Sequence, residues 1–324
     1  MAYDKELAVA LDAVEKASMI CRQVQKTIAD TDTIEKTDRS PVTIADFGSQ
    51  AIIDFMIRQA FVHDAIIGEE DSAVLRSDSA MGKRVVDLVN TQVHLDMQGV
   101  YEAIDYGAHN TGPKTRFWTV DPIDGTKGFL RKDQYAVALG LVEEGRVVLG
   151  VLGCPNFSFD DRGGGLFYAV KGKGAYMRYL DTKDKDRAIC ADKIEDASMA
   201  RFCESVEKGH SSHKKHFQIS QAMGIIEPSL RIDSQVKYAA VASGRASVYL
   251  RLPRSSAYRE KIWDHAAGSI VVEEAGGRVS DFSGKDLDFS QGRVLQTNQG
   301  ILATNGHLHA DALRAIAGVV RMQG

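Results

Sequence analysis

The chain has 324 residues, of which 44% are hydrophobic, 26% charged and 7% aromatic, with six prolines and a formal net charge of -4. These globular values exclude a disordered or fibrous chain, the length suits about two domains, and the mild acidity argues against a general nucleic-acid binder. No apolar run reaches the roughly 18–20 residues that span a bilayer, and the N-terminal segment lacks the apolar stretch of a signal peptide.

In chain order, apolar residues at helical spacing (Leu7, Leu11, Val14, Cys21, Val24, Ile28) predict an amphipathic helix. Ser40-Pro41 interrupts it, and Thr43 is placed to cap a second helix running to about Phe61. Ala65-Ile66-Ile67 reads as a strand that stops at Gly68 and enters the acidic turn Glu69-Glu70-Asp71. Residues 72–114 carry little pattern beyond a helix near 85–93. Phe117-Trp118-Thr119-Val120 reads as a strand, followed by Asp121-Pro-Ile-Asp-Gly-Thr126. Two hairpins follow, 135–142 with 147–152 and 165–170 with 175–180, each joined by a Gly-bearing turn. Beyond about residue 190 strands (230–232, 248–252, 300–304) alternate with helices (213–223, 235–242, 266–274, 308–320). The expected architecture is α/β in class, an α+β half over residues 1–190 packed closely on an α/β half over 191–324.

Asp121 and Asp124 flank Pro122-Ile123 at a strand end. Two carboxylates with the Ile123 carbonyl between them can converge on one hard cation such as Mg²⁺, which takes oxygen ligands. An Asp N-cap for a helix starting near Gly125 is the plainer alternative. Gly125-Thr126 at that helix start offers backbone N–H groups to a phosphate, or simply a cap. Glu69, Asp264 in Trp263-Asp-His265 and Asp46 in the first turn of the second helix are further acids at strand ends and helix starts. Each alone suits a surface turn or a cap. Together they form the carboxylate set expected of two-metal phosphate chemistry. Charge is also divided: residues 43–124 hold thirteen acids against six bases, and residues 201–264 hold eleven bases against six acids. A cation-holding half facing an anion-holding half is one reading, two solvated surfaces the other. The four cysteines (Cys21, Cys154, Cys190, Cys203) have no metal-binding spacing and read as reduced thiols, which together with the N-terminus points to the cytoplasm.

The strings Gly68-Glu-Glu70, Asp121-Pro-Ile-Asp-Gly-Thr126 and Trp263-Asp-His-Ala-Ala-Gly268 resemble the inositol-monophosphatase superfamily of lithium-sensitive phosphatases. Longer matches resemble its 3'(2'),5'-bisphosphate nucleotidase branch: Ser40 to Asp46, Asp121 through Lys127-Gly-Phe-Leu-Arg131, Glu207-Lys-Gly-His-Ser-Ser-His213, Asp233-Ser-Gln-Val-Lys-Tyr238 and Tyr258 to Asp264. The resemblance runs from about residue 5 to about residue 315. The connection at 160–165 is shorter and Val236 stands where Ala is more usual. The fold it implies is a layered αβαβα sandwich. It implies that Glu69, Asp121, the Ile123 carbonyl, Asp124 and Asp264 bind two or three Mg²⁺ ions. It implies that Asp46 and Thr126 activate the attacking water, and that Gly125 and Thr126 hold the scissile phosphate. His210, Ser234, Lys237, Arg251 and Asp264 would hold the rest of the substrate. The implied activity is hydrolysis of 3'-phosphoadenosine 5'-phosphate (PAP) to AMP, and of 3'-phosphoadenylyl sulfate (PAPS) to adenylyl sulfate, by a metal-activated water in a monomeric enzyme. That enzyme would act on a small nucleotide, with no nucleic-acid or membrane partner. The nearest alternative is an inositol polyphosphate 1-phosphatase or inositol monophosphatase activity. A non-catalytic nucleotide sensor would lack Asp46 or Thr126, and both are present.

Overall fold

The computed structural model describes residues 2–27, 33–35, 41–108, 116–157, 163–180, 182, 185–206, 213–253, 255 and 257–321. In chain order the elements are α1 (Asp4–Thr27), β1 (Thr33–Glu35), β2 (Pro41–Thr43), α2 (Ile44–Ala60), β3 (Ala65–Gly68), α3 (Ala73–Ser77), α4 (Ser79–Val89), α5 (Met97–Tyr106), β4 (Arg116–Asp124), α6 (Thr126–Leu130), β5 (Ala136–Glu143), β6 (Arg146–Cys154), β7 (Gly165–Val170), β8 (Ala175–Tyr179) and β9 (Arg187–Ile189). Then come β10 (Phe202–Glu204), α7 (His213–Ala222), β11 (Leu230–Arg231), α8 (Val236–Ala242), β12 (Val248–Arg251), α9 (Ala266–Glu274), β13 (Arg278–Ser280), β14 (Ile301–Thr304) and α10 (His309–Arg321).

β3 to β9 form a seven-stranded sheet in sequence order, parallel between β3 and β4 and antiparallel thereafter. The second sheet has five strands in the order β11-β10-β12-β14-β13 and is mixed. α1 and α2 cover one face of the larger sheet, α9 covers the other, and α8 and α9 also meet the smaller sheet. α7 and α10 pack together outside that second sheet. The result is the layered αβαβα sandwich.

Strand residues alternate between two cores. On β7, Leu166, Tyr168 and Val170 face the core under α1 and α2, while Phe167 and Ala169 face the middle core. A sheet covered on both faces needs apolar residues at every position, so these strands read as continuous apolar runs rather than alternating ones. α9 fits between the sheets because small residues let backbones approach. A side chain on Gly150 would stand 2.6 Å from the Ala267 carbonyl, and one on Gly268 would stand 2.2 Å from the Tyr238 ring.

The structure departs from the sequence reading at several elements. The span 72–106 holds three helices, and the one expected near 85–93 ends at Val89. α5 is capped by Asp96, whose carboxylate accepts from the Gly99 N–H at 2.7 Å. β9, β10 and β13 have three residues each, too short to show a period. β4 does not stop at Val120 but continues through Asp124.

Candidate active site

Gly68 lies in register with Val120 on the parallel neighbour, so Glu69 and Asp121 leave the same end of the sheet side by side. Ligands of open α/β sheets collect at such carboxyl ends. On a regular strand, side chains three apart point to opposite faces. Here β4 carries a bulge: Asp121 pairs with Ala138 but Asp124 with Ala136. The extra residue restores parity and turns both carboxylates into one pocket. Gly125 follows with a left-handed φ of 90°, and a Cβ there would lie 2.9 Å from the Cβ of Ser234. Glycine is required at this turn both by conformation and by space.

Asp46 is locked by its own helix start. Thr43 donates both its backbone N–H (2.7 Å) and its hydroxyl (2.6 Å) to Asp46 Oδ2, and the Ala45 N–H donates to the Thr43 hydroxyl. This capping box leaves Asp46 Oδ1 directed at Thr126, whose hydroxyl stands 3.4 Å from it and 3.3 Å from the Ile123 carbonyl. The second half contributes through a turn and a strand. The Gln235 N–H donates to Asp124 Oδ2 at 2.6 Å. Arg251 places Nη2 2.9 Å from Asp264 Oδ2 and Nε 2.8 Å from Glu260 Oε2. Behind it, His265 stands 3.3 Å from Glu260 and accepts or donates to the Tyr238 hydroxyl at 2.8 Å. Asp264 is not the N-cap of α9; that position is His265.

Glu69, Asp121, Ile123, Asp124, Gly125 and Thr126 line one open pocket, together with Ser234, Lys237, Arg251 and Asp264. Asp46 joins through Thr126. His210 lies outside the described residues. The pocket wall also contains Ser205, Asp233 and Tyr249, which the sequence reading passed over. Asp233 stood within a quoted string; Ser205 and Tyr249 had no local signal, because only strand pairing brings them here.

Burial, then Glu69, Asp124, Asp264 and Asp46, push the Asp121 carboxyl well above the usual range. Burial and Asp264 raise Asp124 to about 7, against the pull of Lys237, Arg251 and the Gln235 N–H. Burial lowers Lys237, and Asp124 partly restores its charge. Burial also opposes the Arg251 charge, but Glu260 and Asp264 outweigh it and hold it firmly cationic.

Such crowding of carboxylates calls for a cation. Asp121 Oδ1 is buried and has no hydrogen-bond partner among the described residues, as expected of an oxygen that could serve a metal. The donor set is all oxygen, which fits Mg²⁺. A neighbouring cluster, Glu260, Asp264 and His265, brings its ligand atoms within 4.8 Å. There the Arg251 guanidinium already supplies the positive charge, by bonds to Glu260 and Asp264.

The profile of the Inositol monophosphatase family matches residues 2–320, nearly the whole chain. This chain belongs to the inositol monophosphatase family. Among relatives of this family member, a protein of Candida albicans described as 3'(2'),5'-bisphosphate nucleotidase 1 is 43% identical, over 97% of this chain and 95% of its own. The 3'(2'),5'-bisphosphate nucleotidase of Emericella nidulans is 40% identical over 99% and 100%, and that of Oryza sativa 43% over 99% and 96%. Among solved structures, an inositol monophosphatase of Thermotoga maritima superposes with a TM-score of 0.69 at 22% identity, over 98% of this chain and 99% of its own. CysQ from Bacteroides thetaiotaomicron gives 0.63 at 20%, over 94% and 98%. These two likenesses establish the fold.

Proposed function

We infer that this member of the family is a 3'(2'),5'-bisphosphate nucleotidase that removes the 3'-phosphate of PAP to give AMP and phosphate. The observation that carries the reading is 40–43% identity, over nearly full length, to fungal and plant proteins of that name. It is joined by a pocket that gathers the expected carboxylates and the basic residues of the second half. Hydrolysis of PAPS and sensitivity to lithium belong to the same reading.

Glu69, Asp121, the Ile123 carbonyl, Asp124 and Asp264 would hold Mg²⁺, as two or three ions. When bound, Mg²⁺ supplies Lewis-acid polarisation of the phosphate and of water. The chain's own residues do the rest. Thr126, donating its hydroxyl proton to Asp46 Oδ1, presents oxygen lone pairs that orient the attacking water. Asp46, held on its other oxygen by Thr43, takes up the proton through Thr126. The backbone N–H groups of Gly125 and Thr126 hold the scissile phosphate. Ser234, Lys237, Arg251 and His210 hold the remainder of the nucleotide. We read the enzyme as a monomer acting on a small nucleotide. No helix among the described residues is long and apolar enough to cross a membrane. We place the enzyme in the cytoplasm on its four cysteines, which read as reduced thiols.

The test is phosphate release with Mg²⁺ from PAP, PAPS, 3'-AMP and inositol mono- and bisphosphates. PAP should have the highest kcat/KM, with AMP competing. Preference for an inositol phosphate, without competition by AMP, would overturn the reading.

A further inference from the structure

The Lys127-Gly-Phe-Leu-Arg131 string has no role in the chemistry above. In the structure its last residue makes a long-range contact: Arg131, just past α6, forms an ion pair through Nη2 with Asp233 Oδ2, 102 positions away. Asp233 is only 3% exposed. Its other oxygen accepts from the Ser205 hydroxyl at 2.9 Å and the Val206 N–H at 3.1 Å. One carboxylate thus joins the end of α6, the exit of β10 and the turn before α8. Gly128 allows this closeness, since a Cβ there would stand 3.3 Å from Asp233 Oδ2 and 2.3 Å from the Gln134 carbonyl.

The turn so gripped includes Ser234, held at a left-handed φ of 63°. A non-glycine residue there is strained and stays only where its surroundings impose it. The imposition is visible on both sides: Asp233 is held by Arg131, Ser205 and Val206, and the Gln235 N–H is held by Asp124. Asp233 is also close enough to Lys237 to support its charge. Left without Arg131, the same carboxylate would be a buried anion beside the basic residues read as holding the distal phosphate.

We propose that Arg131 and Asp233 are positioning residues that set the preference for a substrate carrying a second phosphate. They fix the Ser234 turn, and Arg131 cancels the Asp233 charge in the pocket wall. The proposal rests on the nucleotidase reading for the identity of that substrate.

The experiment compares kcat/KM for PAP and 3'-AMP in the wild type, Arg131→Gln, Arg131→Lys and Arg131→Gln/Asp233→Asn, with folding checked by circular dichroism. Arg131→Gln should lose roughly tenfold on PAP, mostly in KM, and less than about threefold on 3'-AMP, because a partner charge is left uncompensated. Arg131→Lys should recover part of the loss. The double variant, neutral on both sides, should outperform Arg131→Gln on PAP. Equal losses on both substrates, no loss on PAP, or a double variant no better than the single would overturn the proposal. If Arg131→Gln does not fold, Ser205→Ala carries the test: it removes one grip on Asp233 and should raise the KM for PAP more than that for 3'-AMP. If the wild type instead prefers an inositol bisphosphate, the nucleotidase reading fails by itself. The ratio is then read on inositol bisphosphate against monophosphate, with the same outcomes deciding.

Discussion

Asp121 is 2% exposed and surrounded by Glu69, Asp124, Asp264 and Asp46, and its Oδ1 has no hydrogen-bond partner among the described residues. Asp121→Asn should therefore reduce turnover by more than ~10²-fold while the fold survives. Near-normal phosphate release at saturating Mg²⁺ would remove Asp121 from the metal site. The same change should stabilise the cation-free protein at pH 8. A carboxyl whose pKa is raised on folding costs nothing below its unfolded pKa, and costs more as pH climbs towards its folded one. Thermal unfolding in chelator at pH 8 and pH 4 reads this, with the gap between variant and wild type closing at the lower pH. Lys237 and Arg251, paired by residue type in the sequence, separate in the structure. Lys237 is buried, its Nζ donating to the Ile232 carbonyl at 3.4 Å and standing 5.3 Å from the Tyr249 ring centroid. Arg251 instead bridges Glu260 and Asp264. Lys237→Ala should cost about 1.5–3 kcal/mol on PAP, or roughly one to two powers of ten in kcat/KM, and spare 3'-AMP. Arg251→Ala should harm both substrates, because Asp264 loses its cationic partner. A selective loss in Arg251→Ala would show that its contact with Asp264 is dispensable.

At the level of elements, α9 decides where Asp264 sits. Its boundaries coincide with the expected 266–274, since a run of small apolar residues buried almost all round is easily read. Its contact with the sheet is not readable, because it depends on glycines from β5 and β6. In Gly150→Ala the new methyl group would meet the Ala267 carbonyl and the Ile270 side chain, both at 2.6 Å. We expect a loss of about 1–3 kcal/mol in chemical denaturation, with a fall in kcat/KM as α9 shifts. Unchanged stability would mean that the layers have room to spare. α10 begins with His309, buried between the Ser280 hydroxyl (2.8 Å) and the Thr304 hydroxyl (3.0 Å). Burial, helped by Arg278, lowers its pKa from 6.5 to about 4. A depressed histidine contributes stability that is complete above the unfolded pKa and is lost as pH falls towards the folded one. Wild-type stability should thus drop by on the order of 2–3 kcal/mol between pH 6.5 and 4, and less in His309→Gln. Equal slopes for both proteins would exclude His309 as the cause. α5 escaped the sequence reading because its start signal, Asp96 to the Gly99 N–H, is a single local bond in a weakly patterned stretch.

For the whole molecule, the proposed metal site would couple cation binding to folding. Strand ends from the larger sheet and the segment before α9 bring carboxylates together, and a cation bound there would relieve their repulsion. Mg²⁺ should raise the unfolding temperature with the logarithm of its concentration above Kd, by the equivalent of about 2.7 kcal/mol at a hundredfold excess over Kd. The shift should shrink as pH falls and protons compete for the same oxygens. Differential scanning calorimetry across Mg²⁺ and pH is the measurement; a wild-type shift no larger than that of Asp121→Asn would place the cation elsewhere.

What the amino-acid sequence determined by itself is local chemistry: the acids of Gly68-Glu-Glu70 and Asp121-Pro-Ile-Asp124, the Gly125 turn, the Thr43 cap and the long helices and hairpins. These follow from residue type and short spacing, so each leaves a trace within a few positions. The tertiary structure decided which of these residues share a pocket. A bulge aims Asp121 and Asp124 together. Arg251 reaches Glu260 and Asp264 from another element. Asp233 joins Arg131 across 102 residues of sequence. Contacts of that separation have no period and no fixed spacing, because they are set by how the two sheets pack against α9.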